Sequence, residues 1–322
     1  MLTYIIRRLL IMIPLLLAVS VVGFFIMQQT PGSYLSTLKM NPEVSPEMVN
    51  QLREDYGLDE PVWVQYGHWL WRALHFDFGR SFKWDVPVSH VLKTRLLNTL
   101  ILSLSALLFS WIIAILIGVF SSTHKYQISD NIMTVFAFIG LSIPNFFLAL
   151  ILLVSIVKSG IQWPISGMTS MNYDFLSPTG KVLDVLKHLV VPTIVLGTAA
   201  MARVMRQMRG QMLDQLGKDY IKTARAKGVS EGKVIYKHAF RNAVNPLITI
   251  LGFDLSRLLS GAALTEIVTG WPGLGNMMLN AVRSKDLYVA MAGLMMSSVL
   301  LILGNLFADV LLAIVDPRIR YD

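Results

Sequence analysis

Apolar residues run in long blocks along this chain, and charged residues are confined mostly to the gaps between them. A helix that crosses a bilayer needs about 20 largely apolar residues, because each rises about 1.5 Å and the hydrocarbon core is about 30 Å thick. Helices are the expected form, since lipid cannot satisfy open backbone groups. The pattern predicts six spans. The first covers about Leu9 to Gln28. The second lies between Arg95 and His124, with no Lys, Arg, Asp or Glu from Leu96 to Thr123. The third lies between Asp130 and Lys158, and Pro144 at its middle predicts a kink. The fourth, about Leu189 to Met208, ends its charge-free core at Arg203. Arg203 and Arg206 are expected to snorkel toward an interface. The fifth, about Pro246 to Ile267, carries Asp254 and Arg257 inside it. The sixth, Leu287 to Val315, includes Asp309 near its end. The fold class expected is an all-α polytopic membrane protein.

The flanking charges give these spans a direction, because Lys and Arg collect on the cytoplasmic side. Arg7 and Arg8 place the N-terminus inside. Thr30 to Arg95 then falls outside, where acids and bases nearly balance. The short connection holding His124 and Lys125 lies inside, and Ser159 to His188 outside. Arg203 to Arg241 is dense in bases and lies inside, opposed only by Asp214, Asp219 and Glu231. Val268 to Asp286 returns outside, and the tail with Arg318 and Arg320 ends inside. Both termini are therefore expected to be cytoplasmic, in a multi-pass protein of a bacterial cytoplasmic membrane. The apolar run after Arg8 is long for a signal peptide, and Thr30-Pro31-Gly32-Ser33 is a poor cleavage site, so an uncleaved helix is expected. The plan is an N-terminal transmembrane helix (1–30), an extracytoplasmic segment with short helices (31–95), a five-helix core (96–315) and a cytoplasmic tail (316–322). The core includes an inner loop at 209–245.

Composition fits a membrane protein better than a soluble one. Hydrophobic residues make up 54% and charged residues 15%, against about 25% charged in soluble domains. The net charge of +8 follows the positive-inside bias, so no nucleic-acid partner is expected. The absence of cysteine excludes disulfides, thiolate metal sites and a thiol nucleophile. There is no Walker A or dinucleotide fingerprint, and the 17 methionines serve as flexible packing groups. The chain itself is expected to bind no cofactor or metal. In the first outer segment, Ser45-Pro46-Glu47 reads as a helix start, with a short helix over Met48 to Tyr56 ending at Gly57. Trp63, Tyr66, Trp69, Trp71 and Phe76 follow. They fit a helix lying in the headgroup layer or a platform facing a receptor protein.

The inner segment from Leu216 to Leu247, LGKDYIKTARAKGVSEGKVIYKHAFRNAVNPL, is the most informative. Asp219 to Lys227 reads as a short helix with little bulk at Ala224 and Ala226. Gly228 is placed to take a left-handed conformation and end it. Ser230 is placed to cap a second helix from Glu231 to Asn242, with Lys233 in its first turn. The product is a helical bracket beneath the membrane. Chemistry alone leaves two readings open: a basic loop at anionic headgroups, or a docking surface for another protein.

This segment resembles the conserved cytoplasmic loop of binding-protein-dependent ABC transporter permeases, in particular the dipeptide/oligopeptide/nickel branch. The matching positions are Thr223 to Gly228 and His238 to Asn242. Lys222 and Arg241 stand where the wider family has a glutamate and a proline. The N-terminal Tyr-Ile-Ile-Arg-Arg-Leu, Asp77-Phe78-Gly79-Arg80-Ser81, Ser142-Ile143-Pro144 and the run from Glu266 to Gly275 also resemble the branch, in order along the chain. The resemblance implies the type I ABC importer permease fold and an alternating-access permease for di- or oligopeptides. Nickel complexes, glutathione or oligosaccharides are the alternative cargoes within the branch. It implies a second, homologous permease subunit of the C type, two ATPase subunits that hold ATP and Mg, and an extracytoplasmic solute-binding protein. Thr223, Ala224, Arg225, Ala226, Lys227, Gly228, Val229, Ser230, Lys233 and His238 would meet the ATPase.

Polar residues inside spans are costly and mark sites or structural pairs. Asp254 and Arg257, three apart on one helical face, suit a structural network or contact with cargo. Asn145 suits carbonyls freed at Pro144 or the cargo route. Glu266 suits a rigid turn or an outer gate with Trp271-Pro272-Gly273. Asn98 and Thr99 carry the same ambiguity. The motifs of membrane proteases are absent, so a non-catalytic subunit is expected. An ion-coupled secondary transporter is the competing class, but it leaves the inner bracket without a purpose.

Overall fold

The computed structural model describes residues 2–29, 47, 57 and 59–315. The short helix expected over Met48 to Tyr56 and the tail at 316–322 lie outside them. The described residues are all-helical apart from one isolated bridge between Arg80 and Pro87. In chain order, α1 is Leu2–Gln29, α2 Val62–Leu74, α3 Val88–Thr123, α4 Ile128–Ser142 and α5 Asn145–Ser159. Then come α6 Pro178–Leu216, α7 Asp219–Ala226, α8 Glu231–Lys233, a π-helical stretch Val234–Ala239 and α9 Phe240–Ala243. The last are α10 Asn245–Gly261, α11 Ala263–Val268, α12 Leu274–Arg283 and α13 Leu287–Val315.

Four described helices are long and apolar enough to cross a membrane, and a fifth crossing results if α4 and α5 are counted as one bent pair. The kinked third span is a correction: α4 and α5 meet at 107° across a break. The proline explains it. Ile143 precedes Pro144 and is extended (φ −84°, ψ 121°), because the proline ring disfavours helical backbone before it. Pro144 then sits as N-cap of α5. The fourth span also outgrows its apolar core. α6 runs from Pro178, where Ser177 Oγ accepts the Gly180 N–H at 3.2 Å, to Leu216. Its polar ends keep helical backbone outside the apolar window. The fifth expected span is interrupted: α10 stops at Gly261 and α11 begins at Ala263.

The chain divides into two compact units. One comprises Met1–Ile5, Leu100–Trp271 and Leu301–Asp322. Its core is built from Leu102, Trp111, Met205, Met208, Met212, Ile221, Val234 and Leu247, so the bracket helices share a core with α3 and α6. Helices α4, α5 and α10 all pack on α6. Trp271 is fully buried in the same cluster.

The other unit comprises Ile6–Thr99 and Pro272–Leu300. Phe24, Trp69, Val88, Leu92, Met277 and Met291 form its core. Here the motif Asp77 to Ser81 finds a structural purpose. Buried Asp286, just before α13, accepts the Ser81 hydroxyl at 2.6 Å and the Lys83 N–H at 3.1 Å. Gly79 has φ +80°, and a Cβ there would lie 2.8 Å from the Tyr288 ring. The Arg72 guanidinium, donating to Asp77 at 2.8 Å, holds that carboxyl below the usual aspartate range. Asn98 donates to the Pro272 carbonyl at 2.9 Å, and Thr99 Oγ1 accepts the Leu274 N–H at 2.8 Å. These two residues therefore hold the start of α12. The aromatics of α2 divide as an amphipathic helix requires: Trp69 is buried, whereas Trp63 and Trp71 are exposed.

Candidate functional site

The bracket begins where α6 ends. α7 closes on Gly228 through a double hydrogen bond of Schellman type. The Gly228 N–H donates to the Arg225 carbonyl at 2.9 Å and the Val229 N–H to the Ala224 carbonyl at 3.2 Å. Gly228 has φ +74°, and nothing lies within 4 Å of the place its Cβ would occupy. The glycine is thus needed for backbone conformation, with open space on its outer side. The expected left-handed corner is present. Ser230 occupies the N-cap position of α8, but its side chain makes no capping bond, which corrects that expectation. The second arm is not one regular helix either, because a π-helical stretch at Val234–Ala239 interrupts it. Such a widened turn is a local irregularity that often marks functional segments.

Three kinds of contact fix the arms. Ile221, Val234, Ala239 and Ala243 are fully buried. Across the corner, Arg225 grips Glu231 with two bonds, Nε to Oε2 at 3.1 Å and Nη2 to Oε1 at 2.5 Å. This pairing lowers the Glu231 carboxyl below its usual range and raises the Arg225 guanidinium. Asn242 donates to Tyr220 Oη at 3.2 Å, and the Tyr220 hydroxyl donates to Gln215 at 2.7 Å. The side facing away from the core is Thr223, Ala226, Lys227, Gly228, Ser230 and Lys233, all exposed; His238 is half-buried, and Ala224 and Val229 are half-buried and pack against the core.

A second polar cluster escaped the sequence reading. Arg209 on α6 was one base among many, and Asp130 only marked a helix boundary. Arg209 donates to both oxygens of the buried Asp130, at 2.9 and 2.8 Å. It also donates to Ser121 Oγ at 3.0 Å. The Ser121 hydroxyl donates to Asp130, and the Tyr126 N–H does so at 3.0 Å. One carboxylate thereby ties together the end of α3, the following turn, α4 and α6. A polar start to one span paired with a base near the end of another was the available signal.

The third feature is a cavity of about 340 Å³ lined by Asn145, Arg203, Arg206, Asp254 and Arg257 among leucines and alanines. Three of the four expected cargo-path residues therefore meet at one place. The fourth, Glu266, is fully buried on α11 and does not line it. Asp254 pairs with Arg203 at 3.1 Å and accepts the Trp111 indole N–H at 3.2 Å. Asp254 thus joins a network that reaches α6 through Arg203 and also takes in the charge of Arg257 one turn away. Arg203 and Arg206 line the cavity, and Arg206 lies 5.9 Å from the Phe138 ring centroid.

The several lipid-length helices, the polar cavity beside a broken helix and the exposed helical bracket of the described residues fit a multi-pass membrane protein. The profile described as binding-protein-dependent transport system inner membrane component matches residues 114–321, and that of the N-terminal part of such components matches residues 1–103. The chain is 42% identical to the oligopeptide transport system permease protein AppB of Bacillus subtilis (strain 168), over 100% of both chains. It is 35% identical to the dipeptide transport system permease protein DppB of Escherichia coli (strain K12), over 100% of this chain and 99% of that one. With DppB of Alkalihalophilus pseudofirmus the identity is 36%, again over 100% of both. The chain belongs to this family of inner membrane components and is a non-catalytic permease subunit of an ABC importer.

Proposed function

We propose that this permease carries di- or oligopeptides across a bacterial cytoplasmic membrane, by alternating access driven by separate ATPase subunits. AppB and DppB, an oligopeptide and a dipeptide transport permease that match the chain end to end, support the cargo class. The reading includes six crossings with both termini in the cytoplasm. α10 and α11, together running from Asn245 to Val268, supply the sixth span. Its partners are a homologous second permease, two ATPase subunits that bind ATP and Mg, and an extracytoplasmic solute-binding protein. Thr223 through Ser230, with Lys233 and His238, form the ATPase contact. Asn145, Asp254 and Arg257 line the cargo path, and Glu266 braces its outer end. The single observation that carries the coupling role is the corner at Gly228. It combines a left-handed backbone that glycine alone adopts freely, open space outside, and arms rooted in the same core as α3 and α6.

The test is Gly228→Ala in the assembled importer. An added Cβ at positive φ costs about 1–2 kcal/mol and meets no neighbour, so the bundle should fold while the corner shifts. ATP-dependent peptide uptake should fall at least about tenfold, which corresponds to 1.4 kcal/mol, with the ATPase subunits still co-purifying. Wild-type uptake by a fully assembled variant would sink the coupling role.

A further inference from the structure

The cavity beside the α4–α5 break has more guanidinium groups than carboxylates in its described lining. Among its described lining residues, three guanidinium groups, Arg203, Arg206 and Arg257, face one carboxylate, Asp254. Asp254 pairs with Arg203, accepts the Trp111 indole N–H and also feels the charge of Arg257. Charge within a span is expensive and is kept where it faces a partner or an aqueous path. The Nε of Arg203 is buried and has no hydrogen-bond partner among the described residues. That atom is shielded from solvent, so Arg203 belongs to the wall of the cavity and not to the surface a visitor meets. The volume suits a small solute, since ligand pockets run from about 300 to 1,000 Å³. Leu141 and Asn145, on either side of the helix break, line the same space. A break of this kind opens backbone toward a cavity, and the first turn of α5 adds the positive end of a helix dipole.

We propose that this cavity is a carboxylate station on the cargo path, with Arg206 and Arg257 meeting the anion and the Arg203–Asp254 pair forming a fixed wall. Guanidinium groups suit this purpose because their paired N–H donors match a carboxylate. The station rests on the peptide-importer reading and adds to it. The permease itself, in addition to its binding protein, favours cargo with a free carboxylate. Arg206 is the residue to change, because its side chain is exposed and it is not the base that neutralises Asp254.

The experiment uses the whole importer in proteoliposomes. The solute-binding protein is saturated with a labelled peptide or with the C-terminal amide of that peptide, choosing a peptide it holds in both forms. The wild type should take up the free acid about tenfold faster than the amide, the loss associated with one charge-assisted contact. Arg206→Gln should bring the acid-to-amide ratio down toward one, whereas Arg206→Lys should retain most of the preference. An acid-to-amide ratio that is the same in the wild type and Arg206→Gln would overturn the station, and uptake itself would keep the importer reading standing. If neither peptide moves with the complex intact, the peptide reading falls and the station with it. Vesicles with and without anionic lipid separate the remaining source of an anion. A preference that follows lipid charge and ignores Arg206 would show a headgroup in the cavity and would also overturn the proposal.

Discussion

Arg225 and Glu231 make a two-pronged ion pair, and so do Arg209 and Asp130. The chemistry is the same and the surroundings are opposite. In the bracket the side chains are 45% and 56% exposed, and in the clamp 26% and 2%. Water already satisfies the first pair's charges, so joining them contributes less than about 1 kcal/mol. The Asp130 carboxylate has given up water and depends on Arg209, Ser121 and the Tyr126 N–H. The bracket's shape must therefore rest on its glycine corner and apolar anchors, whereas the clamp's shape rests on the pair itself. An exposed helical corner held mainly by packing can be pushed by a partner without breaking a costly bond. A buried clamp across several helices resists such motion and keeps them moving together.

The clamp offers the largest test of that contrast. Arg209→Met strands a buried carboxylate, for which the expected loss is about 3–5 kcal/mol. Thermal unfolding of the purified protein in detergent measures it. Adding Asp130→Asn to the same chain removes the charge and should recover most of the loss. If the single variant unfolds within about 1 kcal/mol of the wild type, the surface value for an ion pair, the clamp is no different from the bracket pair and the comparison collapses.

The bracket's own support comes next. Ile221 is fully buried on α7 and packs in the core that includes Met212, Val234 and Leu247. Ile221→Ala should cost about 2–4 kcal/mol through lost burial and a residual cavity. Because the bracket is rich in Lys and Arg, limited trypsin digestion reads this locally. Cleavage within Lys218 to Lys237 should accelerate strongly while the remainder of the chain stays protected. Unchanged cleavage would mean that the apolar anchor does not hold the arm.

Parts of this molecule are written in short-range patterns, and those parts were legible. α13 runs over Leu287–Val315 as its apolar block foretells. The Gly228 corner follows from one residue's backbone freedom, and it stands at φ +74°. The break at Pro144 was visible as a proline, but its 107° bend depends on how α4 and α5 each find packing on α6. The polar pairs were least legible because their partners are distant in sequence. Asp254 has Arg257 one turn away, but its pairing with Arg203 on another helix was not visible in the sequence. Asp130 and Arg209 join elements whose meeting only the tertiary structure specifies. Asn98 and Thr99 have the same explanation: their purpose became clear only when Pro272 and Leu274 arrived beside them.

The smallest expected effect gives the most direct view of the exposed pair. Arg225 holds the Glu231 carboxyl below its ordinary value of 4.5. A depressed carboxyl contributes stability above its ordinary value and loses it as pH falls through the lowered one. The wild type should therefore lose a small increment on acidification that Glu231→Gln lacks. Comparing thermal unfolding of the two from about pH 7 to about pH 3 isolates that increment, because the other carboxyls are common to both. At neutral pH the difference should be under about 1 kcal/mol, and added salt should reduce it further. It should also vanish toward the acid end, where Glu231 is protonated in both folded and unfolded chains. A neutral-pH loss of several kcal/mol would mean that the exposed pair braces the corner as strongly as the buried clamp ties its helices. The bracket would then be a rigid strut held by charge, not a packed corner free to shift.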